Sequence, residues 1–372
     1  MVIKPATVKH LPPLTGIRFI AVVMIFLFHY NVPAYGKYLQ AAFHQFFLGV
    51  TVFFVLSGFL ICYNYGKGVN LNKAFLKKYY TNRAARIIPL YFLLLTFTFI
   101  VFYIRGEGGD NLLALYLINI SFLKGYSAWY MFTGIFPAWS LTPEVTFYVL
   151  FPFMYILATR FNWWWQQVVA FWVMGLLLFT FFHFFPFRGF FKGFHFFVSA
   201  TFFCRCFEFI LGMKLACWFR NWQLANEKRN TPASGLPSYT LGGALICLLV
   251  IVAMAIINPN DGAAVKPGGW VLAALVFPVG VALLLFGLLT ESSWLGRLLS
   301  TAFLQVLGKS AYAFFLVHAG VISEWLLPFW NDNQLLFFIS VTLLSIALYY
   351  LIEKPMNKWI KIPAGNAGSG YL

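Results

Sequence analysis

Residues 14–32 read LTGIRFIAVVMIFLFHYNV, and this stretch decides what kind of molecule the chain makes. It is long enough to cross the hydrocarbon core of a bilayer, which takes about 20 mostly apolar residues. Lys4, Lys9 and His10 precede it as they would in a secretory signal. Yet Arg18 sits inside it and no A-x-A-like cleavage site follows, so it reads as a retained first transmembrane helix. Further runs of spanning length lie near 45–65, 87–104, 140–158, 164–184, 196–216, 239–257, 269–289, 310–327 and 334–352. A shorter apolar piece, 112–123, sits within the mixed stretch 105–138 and is expected to lie in the interface or re-enter. The expected fold is all-α: a polytopic integral membrane protein of about ten transmembrane helices, with eleven as the alternative. One transmembrane domain over 1–372, with no appended soluble domain, is the expected organisation.

Composition points the same way. Of 372 residues 61% are apolar and only 10% charged, where soluble domains carry about 25% charge. So few charges cannot coat a water-facing surface, which excludes a soluble enzyme, a disordered chain and a disulfide scaffold. The net charge of +16 would suggest nucleic acid in a soluble protein. Here the basic residues fall in short loops between apolar runs, the pattern of topology signals and of headgroup or phosphate contacts. No nucleic-acid partner is expected. With the N-terminus inside, nineteen basic residues face the cytoplasm, six face outside and Arg205 lies within a span. That bias sets both termini in the cytoplasm. The five cysteines lie in or beside apolar runs and read as small hydrophobes. Cys204 and Cys206 lack the companions of a metal site, so no metal is expected. The chain shows none of the internal repeats that mark many transporters.

Ionisable groups inside spans are costly and usually paired or functional. Arg18 and His29 stand eleven residues apart on the first helix, so they share a face, about 16 Å apart along the axis. In Trp139-Ser140-Leu141-Thr142-Pro143-Glu144, Thr142 reads as an N-cap and Pro143 as the first helical residue. Glu144 then falls in a first turn, at the outer side of the membrane, where the helix dipole favours a carboxylate. Arg205 and Glu208 are three apart and read as an ion pair. Arg83 and Arg86, also three apart, close a basic cytoplasmic stretch at the mouth of the third span. Arginine suits bidentate phosphate recognition, and lipid headgroups are the competing partner for this pair.

At these residues the chain resembles the membrane-bound acyltransferase-3 family, over almost its whole length. Arg18 and His29 match its R-x10-H signature, and 49–61 (GVTVFFVLSGFLI), with Ser57, its second-helix signature. Residues 83–91 (RAARIIPLY) are similar to R-x-x-R-I-x-P-x-Y, and 139–144 with Tyr148 to the W-S-L-x-x-E segment. Arg205, Glu208 and Gly212, then Tyr312 and His318, then 352–355, match later motifs. Thr51, Val145 and Val317 depart from the pattern: many members have an acid, a second glutamate and a tryptophan there.

The resemblance implies transfer of an acyl group, usually acetyl, from cytoplasmic acyl-CoA to a hydroxyl of a surface or exported polysaccharide. It implies a bacterial cytoplasmic (inner) membrane, with the bilayer and a carbohydrate or lipid-linked glycan as partners. His29 becomes the base or acyl carrier, with Glu144 either holding its tautomer or bonding the acceptor. Arg18, Arg83 and Arg86 become the ligands of the CoA phosphates. Ser57, Trp139, Ser140, Tyr148, Arg205, Glu208 and His318 become supporting residues. A glycan or lipid transporter or flippase is the competing reading, and a small non-sugar acceptor is another; paired broken helices would favour the transporter.

Overall fold

The computed structural model describes residues 11–30, 36–229, 238–257 and 266–362. Lys4 and Lys9, and the side chains of Lys228 and Arg229, which contribute to the charge asymmetry, lie outside what is described. The bundle is built on α1 (Pro12–His29), α2 (Gly49–Tyr65), α3 (Lys73–Arg105), α4 (Leu141–Arg160), α5 (Gln166–Phe184) and α6 (Phe202–Arg229). Its remaining principal helices are α7 (Ser238–Ile257), α8 (Phe277–Thr290), α9 (Ala311–Val317), α10 (Val321–Phe329) and α11 (Gln334–Leu348). Among the described residues, nine helical segments are long and apolar enough to cross a membrane. Helices α9 and α10, bent 83° from one another, make up to a tenth span. The piece at 112–123 forms only the short helix Leu112–Ile120.

Three departures from the sequence expectation have local causes. Helix α3 begins fourteen residues earlier than its apolar run, because Asn72 caps it by accepting from the Phe75 N–H at 2.8 Å. Hydropathy marks only the apolar half, so Arg83 and Arg86 lie within a continuous helix. Helix α4 begins at Leu141, out of the 3₁₀ turn Phe136–Ser140. Thr142 is therefore inside the helix and not its N-cap, and its hydroxyl accepts from the Gly125 N–H at 3.0 Å. The ninth span breaks after α9 because Gly320 takes φ +98°, a conformation open to glycine and strained for other residues.

Helices α2 and α6 form the centre of the bundle. A methyl group on Gly58 would run into the Phe209 carbonyl, and one on Gly212 into the Val55 carbonyl. Small residues at a membrane helix interface permit such backbone approach. Phe54, Phe59, Phe147 and Phe209 fill the core around the crossing. The apolar window containing most of α6 is 83% buried, against 17% for that of α5. Burial separates the central helices from those that face lipid.

Candidate active site

Two cavities lie end to end inside the bundle. The narrower, of about 110 Å³, is lined by Arg18 from α1, Ser57 from α2, Arg83 and Arg86 from α3, Glu144 and Tyr148 from α4, and Tyr312 from α9. Helical spacing puts Arg83 and Arg86 on one face and so into one cavity. Arg86 pairs with Glu353 at 2.6 Å. Arg83 faces the rings of Tyr65 and Tyr148, donates to the Tyr65 hydroxyl at 3.3 Å, and has a buried Nε–H with no acceptor among the described residues. Glu144 accepts from Ser57 Oγ at 2.7 Å and from the Tyr148 hydroxyl at 2.6 Å. Three guanidinium groups surround this space against the carboxyl groups of Glu144, in its lining, and Glu353, on Arg86, so positive groups outnumber acids around it.

The wider cavity, of about 630 Å³, contains His29 and is walled by Phe136, Trp139 and Trp270. That volume falls within the range of small-molecule sites. On one side Arg205 grips Glu208 through contacts of 2.8, 3.0 and 3.1 Å, forming the expected ion pair. Thr51 completes the cluster, accepting from Arg205 at 2.8 Å and donating to Glu208 at 3.3 Å. The cluster is buried and neutral, as an ion pair inside a membrane protein should be.

The two histidines meet at the edge of this cavity. His318 follows the last turn of α9, where the helix breaks, and the Tyr30 hydroxyl donates to its carbonyl at 2.7 Å. Its Nδ1 lies 2.8 Å from the Phe315 carbonyl and its Nε2 3.1 Å from His29 Nδ1. A carbonyl only accepts, so His318 carries its proton on Nδ1 and presents a lone pair at Nε2. His29 Nδ1, also 3.0 Å from the Ile25 carbonyl, must then carry the His29 proton. That leaves His29 Nε2 as a lone pair without a donor among the described residues. The arrangement holds the His29 ring in a single tautomer.

The structure does not bring Glu144 to His29. Along α1, Arg18 lines the narrow cavity while Ile25, Phe28 and His29 line the wide one. Glu144 belongs to the first cavity and His29 to the second, and His318 occupies the orienting position the sequence had offered to Glu144. Trp139 and Ser140 divide likewise, Trp139 to the histidine cavity and Ser140 to the arginine cavity. Sequence reasoning placed Glu353 in the 352–355 motif but did not bring it to Arg86. It gave no role in the site to the lining residues Val50, His195, Trp270 and Phe315. Among the described residues no group of three His, Cys, Asp or Glu side chains is arranged to hold a metal ion.

A family model described as an acyltransferase domain matches residues 13–354. The chain is 25% identical to a Staphylococcus aureus (strain MRSA252) protein named "Putative O-acetyltransferase", over 98% of this chain and 60% of that one. It is 26% identical to a Bacillus subtilis (strain 168) protein named "Putative peptidoglycan O-acetyltransferase", over 94% of this chain and 55% of that one. It is 29% identical to a Streptomyces mycarofaciens protein named "Acyltransferase", over 45% of this chain and 46% of that one. The chain thus spans about 60% or less of the length of these relatives. No solved structure matches it.

Proposed function

We propose, from the premise that this chain belongs to the acyltransferase-3 family of acyltransferase domains, that it is an O-acyltransferase moving an acetyl group from acyl-CoA to a carbohydrate hydroxyl. The observation that carries the reading is the division of the interior into an arginine-lined cavity and a histidine-lined one, end to end. The basic asymmetry of the loops supports cytoplasmic termini, with the arginine cavity toward the cytoplasm. In a bacterial inner membrane that orientation gives Arg18, Arg83 and Arg86 access to the phosphates of CoA. The narrow cavity is too small for the nucleotide and suits a thin chain. Glu144, steadied by Ser57 and Tyr148, is available to accept from amide N–H groups of the pantetheine arm.

The aromatic walls of the histidine cavity suit the faces of a sugar, supplied by a surface polysaccharide or a lipid-linked glycan. His29 Nε2 takes the proton of the acceptor hydroxyl as its oxygen attacks the thioester carbonyl. The carbon–sulfur bond breaks, the ester forms, and the proton on His29 passes to the departing CoA thiolate. His318 holds the other nitrogen of His29 throughout. The Arg205–Glu208–Thr51 cluster forms a fixed polar wall for the acceptor. Purified protein in lipid nanodiscs should transfer label from radiolabelled acetyl-CoA to a bacterial polysaccharide fragment, whereas a flippase would bind the glycan and leave the thioester intact. Intact thioester after prolonged incubation with a range of glycans rejects the proposal.

A further inference from the structure

Val50 from α2 and Phe315 from α9 line both cavities. Along α2, Thr51 faces the histidine cavity and Ser57 the arginine cavity, so the two spaces meet where Val50 and Phe315 stand. Both side chains are buried, at 7% and 8% exposure. The Phe315 ring packs 6.3 Å from Phe53 and 5.8 Å from His318. The barrier is made of apolar side chains, so moving it breaks no side-chain hydrogen bond. Arg18, Arg83 and Arg86 line the space on one side of it and His29 the space on the other.

We infer that Val50 and Phe315 form a gate between the two cavities. Closed, it separates the arginine cavity from the histidine cavity and so seals the protein against passage of water and ions. Displaced by the thin arm of a bound thioester, it admits the reactive carbonyl to His29. The direction of entry rests on the acyl-transfer reading above; the seal does not. Without the gate, water would enter behind the donor and compete with the acceptor. His29 would then take a proton from water, hydroxide would attack the thioester, and free acid and CoA thiol would leave.

The test uses proteoliposomes of the wild type, Phe315→Ala, Phe315→Leu and Val50→Phe. It measures acetyl-CoA hydrolysis without acceptor, transfer to acceptor, acetyl-CoA binding and proton leak reported by an entrapped dye. Phe315→Ala should raise hydrolysis and leak about tenfold, with Phe315→Leu between it and the wild type, because the site no longer excludes water. Val50→Phe, which thickens the barrier, should lower transfer about tenfold with acetyl-CoA binding within about twofold of wild type. Wild-type leak and hydrolysis in the folded Phe315 variants, or wild-type turnover in Val50→Phe, overturns the gate. Phe315→Leu keeps most of the side-chain volume and decides the matter if Phe315→Ala fails to fold. A wild type that transfers and hydrolyses nothing counts against the acyl-transfer reading, and the leak measurement still decides the seal.

Discussion

His318 Nε2 lies 3.1 Å from His29 Nδ1 although the two residues are 289 positions apart. The Phe315 carbonyl holds the far side of His318 at 2.8 Å, so the proton positions of both rings follow from one another. On the proposed reading His318 positions His29, a contact that a lone histidine motif does not reveal. His318→Ala should lower kcat by about a hundredfold, the lower end of what acid–base groups supply, with little change in KM for the acyl donor. His318→Gln, whose side-chain oxygen can accept from His29 Nδ1, should recover part of the loss. A donor KM that rises in step with the fall in kcat would mark His318 as a packing residue only.

Arg83 and Arg86 line the same cavity and should respond differently to removal. Arg86 neutralises buried Glu353 at 2.6 Å, whereas Arg83 pairs with no carboxylate among the described residues. Removing one partner of a buried pair is destabilising by about 3–5 kcal/mol, because the other charge is left uncompensated. Arg86→Ala should therefore lower thermal stability in detergent markedly, and Arg86→Ala with Glu353→Gln should restore much of it. Arg83→Ala should leave stability nearly unchanged. It should weaken acetyl-CoA binding by roughly ten- to a hundredfold, the worth of one charge-assisted contact. Equal thermal shifts in the two arginine variants contradict this division of roles.

Much of this architecture is legible in the chain because membrane spans and helical faces are local properties. The apolar runs mark the helices, and helical periodicity alone aligns Arg18 with His29 and joins Arg205 to Glu208. Tyr148 stands four residues from Glu144 and its hydroxyl reaches it by the same rule. What the sequence hides is tertiary. Glu353 meets Arg86 across 267 positions, and Ser57 meets Glu144 across 87. No periodicity encodes which helix a carboxylate will face, so Glu144 reads as a neighbour of His29 until α2, α3 and α4 are seen to close around it. Hydropathy also stops at the basic residues of α3, although the helix itself does not.

The loops should carry the orientation. Lys67 and Lys192 are exposed at turns between spans, and the basic asymmetry assigns the first to the cytoplasm and the second to the outside. In a cysteine-free background, Lys67→Cys should react with a membrane-impermeant maleimide only after the cells are opened. Lys192→Cys should react in intact cells. Labelling of both from the same side would reverse or break this topology.

Lys124 should make stability depend on pH. It lies between spans, fully buried, and its Nζ donates at 2.7 Å to the carbonyls of Thr133 and Ile135. Burial pushes its pKa down from 10.5 to about 7, and a neutral amine can still donate to both carbonyls. The unfolded chain keeps the proton up to about 10.5, so between about 7 and 10.5 it binds more protons than the folded protein. Stability gained from this group therefore rises with pH across that window and is absent below it. Thermal unfolding in detergent from pH 6 to pH 9 checks the point. Lys124→Met should be less stable throughout, since each unpaired buried carbonyl costs about 1–3 kcal/mol. Its deficit relative to the wild type should widen above pH 7; parallel curves would mean that Lys124 keeps its proton in the fold.

His29 carries the most exacting prediction, because its chemistry and its packing can be separated. Its Nδ1 is tied to the Ile25 carbonyl and to His318, while its ring lines the wide cavity. A sugar hydroxyl is a weak nucleophile near neutral pH, and loss of a general base typically lowers a rate by about 10²–10⁴-fold. His29→Ala should abolish measurable transfer, yet leave acetyl-CoA binding intact, because the arginines that would hold the donor line the other cavity. His29→Gln should be nearly as inactive, since an amide preserves hydrogen bonding but cannot take the proton. Isotope-labelled acetyl-CoA separates two routes: an acetyl group trapped on His29 before acceptor is added means the histidine is itself acylated. Release of CoA only with acceptor present means the histidine acts as a base. A folded His29→Ala protein with near-normal turnover would remove His29 from the chemistry, and the two-cavity arrangement would then need another group at its meeting point.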